Sequence, residues 1–178
     1  MGNPFCNEKG PEFQYCKISQ QSVPSYSTPS NCVPIACPSG QDLSPNCNCA
    51  YPYIGTLFFR APSFSDLANT TYYQTLEASL KNSFQKNNLS VDSVALQNPF
   101  TDSNNYLEMT LEVFPAGKIR FDQLDIPRLG FILSNQTFKP PGSFGPFYFL
   151  GRQYGAFQGN LVNPNYTQST YFSSTMCI

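Results

Sequence analysis

Apolar and polar positions fall into regular order only from Tyr51 onward. Tyr53, Gly55, Leu57 and Phe59 alternate with Ile54, Thr56, Phe58 and Arg60, the period of two expected of a strand, here apolar on both faces. Asp66 or Asn69 can cap the segment that follows. There Leu67, Tyr73, Leu76, Leu80 and Phe84 form one stripe on a helix of about four to five turns. Val91 to Gln97 reads as a short strand. Over 106–113, Leu107, Met109, Leu111 and Val113 alternate with Glu108, Thr110 and Glu112, the pattern of a half-buried strand that Pro115-Ala116-Gly117 ends. Asp125 with Pro127 suits a helix start, and Ile126, Leu129, Ile132 and Leu133 give its stripe before Pro140-Pro141-Gly142. Phe147, Tyr148, Phe149 and Leu150 make a last buried strand.

The order strand, helix, strand, strand, helix, strand predicts an α+β fold of ferredoxin-like βαββαβ type, an antiparallel sheet with both helices on one face. Residues 51–154 form this module. Residues 1–50 have no period and are broken by Pro24, Pro29, Pro34, Pro38 and Pro45, so they read as an irregular arm that depends on its cysteines for order. Residues 155–178, rich in Asn, Thr and Ser, read as an unstructured tail.

Composition narrows the chemistry. Only 12% of residues are charged, about half the usual share, while 16 Phe and 11 Tyr make a packed core feasible. The formal net charge of −1 and singly scattered Lys and Arg give no electrostatic reason to expect nucleic acid as a partner. Histidine is absent, which removes Ser–His–Asp and Cys–His catalysis and the histidine-dependent zinc and kinase motifs. Glu108 and Glu112 read as the solvent side of a strand rather than a hydrolytic carboxylate pair. Lys81 and Lys86, with Glu77 four residues before Lys81, read as a solvated helix face. Gly142-Ser143-Phe144-Gly145 opens no helix and lacks the context of a phosphate loop. No catalytic residue, cofactor or metal site follows from these features.

Seven cysteines, six of them before residue 50, point to an oxidising compartment. Four Asn-x-Ser/Thr sequons, at Asn69, Asn88, Asn135 and Asn165, point the same way as candidate glycosylation sites. The first residues have neither the charged nor the apolar region of a signal peptide, and no run approaches the roughly 20 apolar residues of a membrane span. Extracellular chemistry without an address suggests a fragment of a longer secreted or membrane protein. Cys6 and Cys16 most simply pair with each other. Cys32, Cys37, Cys47 and Cys49 allow three connectivities, and their spacing argues against a zinc knuckle. A Cys47–Cys49 pair would close a very small, strained ring, which motivates a redox-switch reading beside the plainer one of permanent staples. Cys177 is left as an odd thiol.

Cys47-Asn48-Cys49-Ala50-Tyr51-Pro52-Tyr53, continuing through Gly55-Thr56-Leu57-Phe58-Phe59-Arg60-Ala61-Pro62-Ser63-Phe64-Ser65-Asp66-Leu67, resembles the extracellular region between the repeats and the membrane helix of plant leucine-rich-repeat receptor-like kinases of subfamily VIII-1. Leu133 to Pro141 and Phe144-Gly145-Pro146 look like a second block of that family. Asn3-Pro4-Phe5-Cys6 looks like the end of a last repeat, with Cys16 as its capping partner. The resemblance implies a non-catalytic extracellular or plasma-membrane receptor piece whose parent is a serine/threonine kinase, with an unknown extracellular ligand or co-receptor as partner. It further implies peroxide perception through cysteines such as Cys32, Cys37, Cys47 and Cys49. The alternative from another class is a small secreted, disulfide-rich binding or decoy protein.

Overall fold

The computed structural model describes residues 26–63, 66–103 and 106–160. After two short strands, β1 (Asp42–Leu43) and β2 (Cys49–Ala50), come β3 (Tyr53–Phe59), β4 (Val91–Thr101), β5 (Leu107–Pro115) and β6 (Phe147–Gly151). The last four form the main body, a four-stranded antiparallel sheet in the order β4-β5-β3-β6. Helix α1, Thr70–Lys86, carries the chain from β3 past β5 to β4, and α2, Asp125–Ser134, carries it from β5 past β3 to β6. This is the ferredoxin-like topology expected from the element order.

Side-chain period and register explain why one face became the core. Tyr53, Leu57 and Phe59 lie opposite Val113, Met109 and Leu107, and all six are buried. Tyr73, Leu76, Leu80 and Phe84 of α1 and Leu129, Ile132 and Leu133 of α2 join the same cluster, which puts both helices on this face. Aromatic pairs fill the β6 end: Phe59 packs 4.8 Å from Phe144 and 5.8 Å from Phe147, ring centre to ring centre. Gly55 is required by close approach, because a Cβ there would overlap the Phe149 ring.

Of the two capping candidates for α1, Asn69 is the cap. Its side chain accepts the Thr71 N–H at 3.1 Å, satisfying one of the orphan donors of the first turn. The second helix ends at Ser134, well before the proline pair that was expected to stop it. The strand after α1 is longer than its apolar pattern suggests, because two register shifts interrupt the alternation between Val91 and Ser93 and between Gln97 and Phe100.

The last strand is not buried throughout: Phe149 is, but Leu150 is 57% exposed and Tyr148 only half-buried, since β6 is an edge strand with one face outward. Glu77 is not part of a solvated face. It accepts the Tyr26 hydroxyl at 2.9 Å and the Thr28 hydroxyl at 2.6 Å, and its burial raises its pKa. Residues 155–178 are not without structure from their start, because Gly155–Asn160 forms a 3-10 helix.

The other sheet edge is covered by the arm itself. The Thr28 N–H bonds to the Leu96 carbonyl at 3.0 Å and the Asn98 N–H to the Tyr26 carbonyl at 2.8 Å, while the Tyr26 ring packs 4.4 Å from that of Tyr73. The exposed ladder of β4 is thereby withdrawn from unwanted pairing. At the far end of the module, the Tyr154 hydroxyl donates to the Tyr51 carbonyl at 3.0 Å and accepts the Phe121 N–H at 2.7 Å, tying the exit of the last strand to the entry of the first.

Candidate functional site

Among the described residues no helix packs on the outer face of the sheet. Across it run three rows fixed by the register: Phe100, Glu108, Phe58 and Tyr148; then Gln97, Thr110, Thr56 and Leu150; then Ala95, Glu112 and Ile54, beside Arg152. Phe58 and Tyr148 stack face to face with ring centres 4.5 Å apart. The Arg60 guanidinium lies 5.7 Å from the Tyr148 ring centre and 5.9 Å from that of Tyr106. One end of this face is occupied by the cysteine-rich arm.

Two two-residue strands organise that arm, β1 (Asp42–Leu43) and β2 (Cys49–Ala50), antiparallel with Asp42 opposite Ala50. The turn between them forms because the Cys47 N–H bonds to the Ser44 carbonyl at 2.9 Å, with Cys47 in the left-handed region at φ 67°. A non-glycine residue there carries a conformational cost that its surroundings must hold. The disulfides supply the hold. Cys32 bonds to Cys47 and Cys37 to Cys49, an interleaved arrangement with Cα separations of 5.3 and 5.5 Å. Cys47 and Cys49 therefore do not pair with each other, and the small strained ring that motivated a switch is not formed. Cys6, Cys16 and Cys177 lie outside the described residues.

Polar and apolar contacts seat the arm on the sheet. Ala50 packs with Ala95 and Phe114 in a small buried cluster on the outer face. Asp92 at the start of β4 accepts the Ser44 hydroxyl at 3.4 Å and the Asn46 side-chain amide at 3.1 Å. The loop between Cys32 and Cys37 is thus displayed from a fixed base, with Val33 77% and Ile35 53% exposed.

Glu112, read from sequence as a solvent-facing residue, is half-buried beside this arm. It accepts the Gln97 side-chain amide at 3.0 Å. Burial and the nearby Asp42 carboxylate push its pKa up to about 7, against the opposing pull of Arg152 and the Gln97 hydrogen bond. Alternation alone cannot reveal this, since the Asp42 charge that acts on Glu112 comes from a distant, aperiodic segment. Glu108, on the same face, is also shifted upward by burial and by Asp102, but the two glutamates stand opposite different residues and form no described pair.

Asn69, Asn88 and Asn135 are all exposed, and all sit at helix ends: the N-cap of α1, the residue after its C-cap, and the C-cap of α2. Asn165 lies outside the described residues. Among the described residues no group of three His, Cys, Asp or Glu side chains is placed to hold a metal ion, and no helix is long and apolar enough to cross a membrane.

No family model matches the chain, and no solved structure matches it. Among curated proteins it is similar to a probable leucine-rich-repeat receptor-like protein kinase of Arabidopsis thaliana, with 32% identity over 157 residues, 87% of this chain. The chain spans 16% of that relative's length. By sequence, then, the protein is related to a plant leucine-rich-repeat receptor-like kinase.

Proposed function

We propose that the chain is the non-catalytic, membrane-proximal extracellular piece of a plant leucine-rich-repeat receptor-like kinase of subfamily VIII-1, contributing to perception by its parent receptor. The observation that carries this reading is the similarity to a receptor kinase along 87% of the chain. The absence of histidine and the disulfide-stapled arm support a binding or coupling role rather than turnover. The three described sequons lie at the ends of the helices. Glycans at Asn69, Asn88 and Asn135 would shield the helix layer and leave the outer sheet face and arm for the ligand or co-receptor.

The cysteines act as permanent staples in this reading. Peroxide perception would require one bridge to rest as a dithiol, which peroxide would oxidise to the disulfide with release of two waters. Expression behind a secretory leader in plant cells tests both parts. Occupied sequons, and four cysteines blocked to alkylation before and after mild reductant or peroxide, are expected. An unglycosylated, reduced product would contradict the extracellular assignment. A Cys32–Cys47 or Cys37–Cys49 pair that opens in mild reductant and closes again in peroxide would make the arm a switch.

A further inference from the structure

We infer that Glu112, on the outer face of β5 beside the β1–β2 hairpin, is a proton-operated latch that holds the stapled arm on the sheet in acid and loosens it as the medium turns alkaline. The placement follows from the register. Asp42 pairs with Ala50, Ala50 is buried against Ala95, and Ala95 is the cross-strand neighbour of Glu112. Directly opposed residues share a face, so Asp42 lies on the hairpin face that meets the sheet, and its charge acts on Glu112 across the seam between arm and module.

The groups facing Glu112 differ by element. From β1 comes Asp42, a like charge; from β4 comes Gln97, a neutral donor; from the end of β6 comes Arg152, exposed to solvent; from β3 comes only Ile54. One screened guanidinium does not offset both burial and a second carboxylate, so the neutral acid is favoured while the arm is seated. Asp92, the other carboxylate at the seam, is engaged by Ser44 and Asn46.

The direction is set by linkage. Glu112 is raised from the ordinary 4.5 to about 7 in the folded protein. Its contribution to folded stability is therefore fully present below about 4.5 and is lost as pH rises through about 7. The part that comes from Asp42 is the part that acts on arm docking. Discounted for a half-exposed site, the arm should open about tenfold more often at pH 8 than at pH 5.5. Neither the geometry nor the test depends on the receptor reading.

Hydrogen exchange over residues 42–50, corrected for intrinsic rates, reads the opening directly. Wild type should lose about tenfold in arm protection between pH 5.5 and 8 while α1 keeps its own. Glu112→Gln should be flat across that range, and Asp42→Asn should show a smaller change. A carboxyl-carbon NMR titration of Glu112 in wild type needs no variant, and its midpoint should lie near 7. A midpoint near 4.5, a flat wild-type profile, or an undiminished profile in a folded Glu112→Gln protein would each overturn the latch.

Discussion

Replacing Phe59 by alanine is expected to lower the stability of the module by about 3–5 kcal/mol. The ring is fully buried between β3 and the aromatic cluster of Phe144 and Phe147, and neither partner can collapse into the space without breaking its own packing. The neighbouring change, Phe58→Ala, should cost about 1–1.5 kcal/mol at most, because Phe58 faces outward, is only half-buried, and loses chiefly its stack on Tyr148. Denaturant unfolding of both variants should show a large fall in midpoint for the first and a small one for the second, with similar slopes. Equal losses, or the reverse order, would mean that β3 is in the wrong register, since a slip of one residue exchanges its two faces.

The second large effect concerns the arm alone. A Cys32→Ser, Cys47→Ser, Cys37→Ser, Cys49→Ser variant removes cross-links that span 15 and 12 residues. A bridge of that size contributes typically about 2–4 kcal/mol. Tyr26 and Thr28 stay anchored at the β4 edge and on Glu77. Between residues 30 and 50, however, the described attachments to the module are chiefly the buried Ala50 contact and the Asp92 hydrogen bonds. Those are too few to hold a proline-broken segment whose turn places Cys47 at positive φ. The variant should therefore lose arm protection by about 30-fold or more, while the buried residues of α1 and β5 keep most of theirs. Limited proteolysis should cut between residues 30 and 50 first. Loss of protection throughout the molecule would show instead that arm and module unfold as one unit.

Much of the module was legible because each element obeys one period on one buried face. The alternation of Leu107, Met109, Leu111 and Val113 marks β5, and the stripe Tyr73, Leu76, Leu80 and Phe84 marks α1, because these faces see only the core. Legibility fails where a second environment is imposed from far along the chain. Glu77 looked solvated because nothing near it in sequence announces that Tyr26 and Thr28 will fold over it. Glu112 looked like the open side of a strand until the arm arrived beside it. Leu150 looked buried because an apolar run does not say whether its strand is central or at an edge. The cysteine pairing was out of reach for the same reason. Four cysteines allow three connectivities, and the one formed, Cys32–Cys47 with Cys37–Cys49, depends on where the folded backbone places them rather than on spacing.

The arm's four clustered cysteines form two interleaved bridges that hold it in the shape seated on the outer face of the ferredoxin-like sheet. Peptide mapping of the secreted protein under non-reducing conditions, with free thiols blocked before digestion, reads those bridges directly. Linked peptides joining Cys32 to Cys47 and Cys37 to Cys49 are predicted. A Cys47–Cys49 or Cys32–Cys37 bridge, or alkylated thiols at these four positions in the native protein, would contradict this pairing.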